Sequence, residues 1–413
     1  MEKQQVGKLI GLLDTEGVDK KLDGIMALLR KNLRMDVAFI SEFTAGRRVF
    51  RHVEKMDPQS PIQEGGSDLL EQTYCQQLVD GDIPEVIRDV RDYPSLWNLE
   101  ATRDLGIGSY VGVPLHLPNG DLYGTFCCYS AQPDQSLNER DLSFFRVIAA
   151  IAGGLIDQKI EHDHKAELIA SGIQKITEEN RLGIHLQPIW DLKRNQACGY
   201  EALSRFDTAP YRTPDVWFAE AEQAGLGEFL EMHALKMACE CLEILPADCY
   251  LSLNTSPKHI ISGALAKVLE GSDLARLVIE VTEHTSVTDY KELKKALVPL
   301  RQKGLRLAID DAGSGYATFS HILELDPDII KLDLSLCRNI HKEEKKFSLA
   351  KALLTYAGET GSLITAEGIE QHEELDVLIG LGIDMAQGYL LGKPMPSSEL
   401  ATFTEAHQSA SSG

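Results

Sequence analysis

Positive charge is scarce in this 413-residue chain. Its 41 Lys and Arg face 63 Asp and Glu, for a formal net charge of −22. Such a surface argues against a nucleic-acid polymer or an anionic membrane as the main partner. An anionic substrate would need a metal or a few placed basic side chains to receive it. Long apolar runs are missing too. The longest, near Val147–Ile156, is too short to span a bilayer. The opening residues, MEKQQVGK, carry no apolar signal region, so a cytoplasmic protein is expected. The eight cysteines have neither zinc-finger spacing nor the framework of a small disulfide-bonded domain, and reduced thiols are expected. What is present is an ordinary globular composition, 43% hydrophobic and 25% charged, at a length comfortable for two domains.

The first half has an α+β pattern. Apolar residues at Leu22, Ile25, Met26, Leu29 and Leu33 predict an amphipathic helix over Leu9–Leu33. Strands are expected at Val37–Phe43 and Val49–Val53, with helical or irregular pieces near Leu69–Val79 and Ser95–Leu105. Tyr110–Leu115 and Leu122–Tyr129 form a predicted hairpin through Leu117-Pro118-Asn119-Gly120, where Asn-Gly is a strong turn signal. A helix-compatible segment starts near Asn138 and leads into a polar, proline-free helical connector over 159–181. There His162 and His164 look like a metal pair, but positions two apart on a helix do not face each other, and solvated helix residues are the better reading.

Chemistry concentrates in Leu305–Ser335, LRLAIDDAGSGYATFSHILELDPDIIKLDLS. A short apolar strand ends in Asp310 and Asp311, and a second one, Ile329–Leu334, contains Lys331 and Asp333. Charges beside buried strands are unfavourable unless paired or ion-bound, and adjacent carboxylates repel. Either a divalent metal sits beside the two aspartates, or the strand end faces water and Lys331 is an ion-pair partner.

Around this stretch, eight strand candidates alternate with helical patterns: His185–Ile189, Ala197–Leu203, Tyr250–Asn254, Leu277–Val281, Arg306–Asp310, Ile329–Asp333, Leu363–Glu367 and Met385–Leu390. Alternation of this kind predicts a (β/α)8 barrel. Strands one and two are separated only by Trp190–Gln196, too little for a parallel crossover, so the barrel is expected to be modified, with an antiparallel first strand. Glu201, Asn254, Glu280, Asp310, Asp311, Lys331, Glu367 and Gln387 all fall at or near C-terminal strand ends, with Glu283 just beyond the fourth. That rim is where barrel enzymes keep their chemistry. The oxygen donors among them suit magnesium or manganese. Two ions sharing Asp310, roughly 4 Å apart, are the usual device for phosphoester hydrolysis.

Two resemblances follow from these residues. Glu201-Ala202-Leu203 with Arg205 resembles the EAL motif of cyclic di-GMP phosphodiesterases. Gln187-Pro188-Ile189, Asn254-Thr255-Ser256-Pro257, Glu280-Val281-Thr282-Glu283, Asp310-Asp311, Lys331-Leu332-Asp333, Ala366-Glu367-Gly368-Ile369-Glu370 and Gln387-Gly388-Tyr389 follow in family order. SYVGVPLHLPNGDLYGTFCCYS and SLNERDLSFFRVIAAIAG resemble GAF domains, which are small-molecule or redox sensing modules. The implied organisation is an α+β GAF-like sensor at 1–158, the helical connector at 159–181 and an EAL TIM barrel at 182–408.

The EAL resemblance implies hydrolysis of cyclic di-GMP to linear pGpG with two Mg2+ or Mn2+ ions, under control of the sensor. By that resemblance Glu201, Asn254, Glu280 and Asp310 hold the first metal, and Asp310, Asp311 and Glu367 serve the second. Lys331 positions or helps deprotonate the attacking water, and Glu367 and Glu283 complete the catalytic set, Glu283 steadying the loop after Asp311. Gln187, Leu203, Arg205, Asp333 and Gln387 match substrate-contacting positions; Arg205 suits a phosphate oxygen. A homodimer is implied as well, with sensor changes reaching the barrel through the connector and the 311–319 loop. Ala312 stands where active members commonly carry phenylalanine, a loss expected to loosen Asp311. No GGDEF-type module is visible, which argues against synthesis of the dinucleotide. The sensor's ligand is unknown; Cys75, His116, Cys127 and Cys128 are ligand or redox candidates, or the cysteines are simply small buried apolar residues. A barrel that binds cyclic di-GMP without cleaving it, and an inert scaffold, are the competing functions.

Overall fold

The computed structural model describes residues 17–281, 289–313 and 316–411, in two compact units that divide between Lys165 and Ala166. The first unit is built on six strands: β1 (Val37–Thr44), β2 (Arg47–Lys55), β3 (Ser67–Leu69), β4 (Val86–Ile87), β5 (Ser109–His116) and β6 (Leu122–Ser130). They lie in the order β3-β2-β1-β6-β5-β4, every neighbouring pair antiparallel. The strand period of two divides its apolar residues between two cores. Ala38, Ile40, Phe126 and Cys128 enter one, with helix α1 (Val18–Leu33) and the first half of a 40-residue helix, Glu139–Glu178. Val37, Phe39, Cys127 and Tyr129 enter the other, with helix α2 (Tyr74–Asp80).

The predicted hairpin is present. Its turn uses Gly120 at φ +90°, which glycine adopts without strain, and the Gly120 N–H donates to the Leu117 carbonyl at 2.9 Å. Strands β3 and β4, three and two residues long, are too short to leave a periodicity and were not foreseen. The opening of the predicted first helix, residues 9–16, lies outside the described residues. The connector is not purely polar: Ile169, Ile173 and Ile176, spaced on one helical face, pack with Leu182, Phe206 and Trp217 in the second unit.

That second unit is a closed eight-strand barrel: β7 (Leu182–Asp191), β8 (Gln196–Phe206), β9 (Tyr250–Asn254), β10 (Leu277–Val281), β11 (Arg306–Ala312), β12 (Ile329–Leu332), β13 (Leu363–Ala366) and β14 (Met385–Ala386). β7 pairs antiparallel with both β8 and β14, while the other pairs are parallel. The first strand is therefore the inverted one, as its short connection demands. The eighth strand is two residues, not the expected Met385–Leu390, and an unforeseen β15 (Met395–Pro396) pairs with Leu186 and His185 of β7.

Alternation along the strands sorts side chains into layers. Leu277, Ile279 and Val281 of β10 join the outer core beneath the helices, while Val278 points inward with Ile189, Tyr250, Ala308, Ile329 and Met385. These inward residues form an apolar floor. One step further along the same strands, on the same inward face, come Ser252, Glu280, Asp310 and Lys331. Gly199 keeps the floor closed, because a Cβ there would lie 2.5 Å from the Tyr250 ring. Gly199→Ala should therefore destabilise the barrel by about 1–3 kcal/mol, read as a lower thermal midpoint. An unchanged midpoint would show that the floor yields.

Candidate metal and active site

Lys331 stands at the centre of the polar layer, 1% exposed. Its Nζ lies 2.6 Å from Glu280, 2.7 Å from Glu367, 3.2 Å from Asp310 and 3.7 Å from Glu201. β12 carries the lysine inward between β11 and β13, so residues from four other strand ends reach one ammonium. Neutral side chains aim the carboxylates. Glu201 accepts from Asn254 Nδ2 at 2.8 Å and from Gln387 Nε2 at 2.7 Å; Gln387 also donates to Gln187 Oε1 at 3.1 Å, and Gln187 donates to the Gly392 carbonyl at 3.2 Å. Glu280 accepts a short bond from Ser252. Gln387 Oε1 is buried without a hydrogen-bond partner among the described residues.

The paired aspartates depend on a break in the β11–β12 ladder. Ile309 pairs with Ile330 and Ala312 with Leu332, so Asp310 and Asp311 together face Lys331 across a bulge. Asp311 takes φ +57°, a conformation that aspartate tolerates better than most residues, and its N–H donates to Asp310 Oδ1 at 3.1 Å. Ala312 closes the bulge fully buried, and its carbonyl accepts the Asp333 N–H at 3.1 Å. Glycine is required beside Glu367: Gly368 sits at φ +65°, where a Cβ would collide with Leu334.

Burial pushes the Glu280 carboxyl up to about 8 against the attraction of Lys331, and the neighbouring Glu201 and Asp310 charges add to the rise. Glu367 is pushed well above the usual carboxylate range for the same reasons. Burial alone would lower Lys331, but Asp310, Glu201, Glu280 and Glu367 hold it well above its ordinary value, so it stays an ammonium.

The site contains more negative charge than one lysine balances. Fully ionised, Glu201, Glu280, Asp310, Asp311 and Glu367 would carry five negative charges against one positive, leaving four, which two divalent cations would neutralise in place of the protons held on Glu280 and Glu367. The donors are all oxygen, and Asp310, Asp311 and Glu367 each offer an oxygen within 4.8 Å of the others. Hard divalent cations fit such a set.

Beside this centre is a cavity of about 770 Å3, lined by Leu203, Arg205, Asn254, Glu231, Ser256 and Lys258 among others. Arg205 donates only to the Ser204 carbonyl, at 2.8 Å, and makes no ion pair among the described residues. Asp333 is placed differently: it caps the short helix Leu334–Cys337, accepting the Ser335 N–H at 2.9 Å, and does not line the cavity. Glu283 lies outside the described residues, as do positions 314–315 of the loop after Asp311.

Sequence reasoning missed Ser252 and Glu231. Ser252 was legible in principle, two residues before Asn254 and so on the same inward face. Glu231 accepts from Thr255 Oγ1 at 2.6 Å and from the Ser256 N–H at 2.8 Å, and lies 3.0 Å from His259; it comes from a helix, Gly227–Glu240, with no motif to mark it. In the other unit, Cys75 and Cys127 share one core, Cys128 faces the opposite one, and His116 is exposed.

A model of the EAL domain family matches residues 170–394, more than half of the chain, and one of the GAF domain family matches residues 18–156. Among curated proteins the chain is similar to the cyclic di-GMP phosphodiesterase PdeF of Escherichia coli K12, 29% identical over 238 residues, covering 54% of this chain and 31% of that protein. It is also similar to the cyclic di-GMP phosphodiesterase PdeL of the same strain, 25% identical over 282 residues, covering 63% and 78%. The chain spans about a third of the length of the first curated relatives it matches: 34%, 38% and 31%. Among solved structures, the PaMucR phosphodiesterase in complex with c-di-GMP covers 56% of this chain and 99% of its own at a TM-score of 0.52 and 25% identity.

The charge excess sets the pH response of stability. Between the ordinary carboxyl value and about 8, the native state keeps a proton on Glu280 that the unfolded chain has released. Stability in chelator should therefore fall as pH rises through that window. Mn2+ should raise the thermal midpoint more at pH 8 than at pH 5. A midpoint insensitive to Mn2+ at both pH values would contradict the charge balance.

Proposed function

This chain belongs to the EAL domain family, and from that premise we propose that its barrel hydrolyses one phosphodiester bond of cyclic di-GMP to give linear pGpG. The convergence of five carboxylates, an amide and a buried lysine above a closed apolar floor carries the assignment. Glu201, Asn254, Glu280 and Asp310 would hold one Mg2+ or Mn2+ ion, and Asp310, Asp311 and Glu367 a second. When bound, such a pair neutralises phosphoryl charge and makes a water acidic enough to attack at neutral pH.

The chain's own residues do the rest. Lys331, reached by four carboxylates, orients the water and the phosphoryl oxygens or helps to deprotonate that water. Arg205, without an acidic partner among the described residues, takes a phosphate oxygen in the cavity, and Leu203 supplies an apolar wall. Gln187 and Gln387 brace Glu201, and the open Gln387 Oε1 accepts from the substrate. Asp333 fixes the turn after β12, and by the family resemblance it also contacts substrate. Glu283 steadies the loop after Asp311, as the family resemblance implies. From the same resemblance we place the protein in the cytoplasm as a homodimer whose GAF unit takes a small-molecule or redox signal. None of its described helices is long and apolar enough to cross a membrane.

Purified protein with Mg2+ or Mn2+ should convert cyclic di-GMP to pGpG. Glu201→Ala should lower turnover by roughly 100-fold or more, and Ser252→Ala by roughly 10–100-fold, as expected when a partner that orients a metal ligand is lost. Arg205→Ala should act mainly on KM. Wild type that binds the dinucleotide yet releases no pGpG with either ion would establish a receptor instead, the outcome to which Ala312 points.

A further inference from the structure

The GAF unit holds a second charged cluster in a dry place. Cys75, in the first turn of α2, and Cys127, on β6, are both 0% exposed and lie in the same core. Arg48, from β2, is 4% exposed and donates from Nη1 to Cys75 Sγ at 3.5 Å. Its other Nη pairs with Asp68, and its Nε has no hydrogen-bond partner among the described residues. Tyr110 Oη lies 3.0 Å from Cys127 Sγ, and Ser41 Oγ, bonded to Thr125 Oγ1 at 2.9 Å, lies 4.0 Å from Cys75 Sγ.

A guanidinium in an apolar layer needs negative charge close by. Asp68 supplies it at the solvent end, with half its side chain exposed; at the buried end the guanidinium lies over the Phe50 ring, 4.3 Å from its centroid, and donates to the Cys75 sulfur. The contrast with Cys128, on the same strand, is instructive. Burial pushes Cys128 far up, with only a weak counter-effect from Arg30, so it is an inert apolar thiol. Burial acts on Cys75 too, but the Cys127 hydrogen bond and the Arg48 charge outweigh it and bring the thiol to about 5, while Cys127 is held well above its ordinary value. One nucleophilic sulfur beside one protonated thiol is the arrangement of a reacting and a resolving cysteine.

We propose that Cys75 and Cys127 form a peroxide-oxidised pair, Cys75 the attacking thiolate and Cys127 the resolving thiol. Cys75 sulfur attacks one peroxide oxygen; an S–O bond forms, the O–O bond breaks, and the departing hydroxide takes the Cys127 proton to leave as water. The Cys127 thiolate then attacks the Cys75 sulfenic sulfur. The S–S bond forms, the S–O bond breaks, and the second hydroxide leaves as water with one proton from solvent. Both thiols are oxidised by two electrons in total, and the peroxide is reduced. Because neither sulfur is exposed, the oxidant must be small and uncharged, which selects hydrogen peroxide over glutathione disulfide. This chemistry is independent of the barrel's activity.

The test is mass spectrometry of the full chain after hydrogen peroxide treatment and alkylation. A Cys75–Cys127 linked peptide should appear with peroxide and not with glutathione disulfide, equally in wild type and in Cys239→Ser. Cys127→Ser should leave a sulfenic acid on Cys75 that dimedone traps when the oxidised protein is unfolded in its presence. Arg48→Lys, which keeps the charge but loses the fork, should slow the reaction by roughly tenfold. Absence of the linked peptide at every peroxide concentration, its formation by glutathione disulfide at the same rate, or dimedone labelling confined to other cysteines would overturn the proposal.

Discussion

A single buried ammonium governs the barrel's mouth. Lys331 is surrounded by carboxylates from β8, β10, β11 and the end of β13, and each would be intolerable in that position without it. Removing one partner of such a buried network commonly costs about 3–5 kcal/mol. Yet one positive charge does not satisfy five acids: burial keeps protons on Glu280 and Glu367, and divalent cations would displace them. The acids and the lysine are all held on one closed sheet. The apolar floor beneath it, from Ile189 to Met385, excludes water from below and leaves the cluster open only toward the C-terminal rim.

Backbone irregularity does what side-chain identity alone cannot. A regular β11 would send Asp310 and Asp311 to opposite faces of the sheet, one into the helix layer. The bulge between Ile309 and Ala312 and the positive φ of Asp311 bring both to the mouth. Such distortions concentrate where function requires them. The small buried side chain of Ala312 completes the bulge, with its carbonyl tied to Asp333 and its pairing to Leu332, which fixes the backbone on the C-terminal side of Asp311.

Much of this was legible in the sequence. Apolar runs of four to six residues bounded by helical patterns located the eight barrel strands, because fully buried strands leave continuous signals. The inverted first strand followed from a connection too short to cross over. The site residues were legible as polar interruptions at strand ends, Glu201 through Gln387. Less visible were features that depend on distant partners. Nothing near Glu231 announces its bonds to Thr255 and Ser256, and nothing in Asp333 announces its cap on the helix that follows. Strands β3, β4 and β15, two or three residues each, lie below the length at which a pattern exists. The pairing of Arg48 with Cys75 joins residues 27 apart through a fold that neither residue encodes locally.

The central claim is that the acids around Lys331 form a cage for two cations, and diffraction measures this most directly. In crystals grown with manganese, anomalous difference maps should show two peaks at the mouth, one within coordinating distance of Glu201, Asn254, Glu280 and Asp310, the other of Asp310, Asp311 and Glu367. A mouth without anomalous density, with Lys331 still bridging the four carboxylates, would contradict the account.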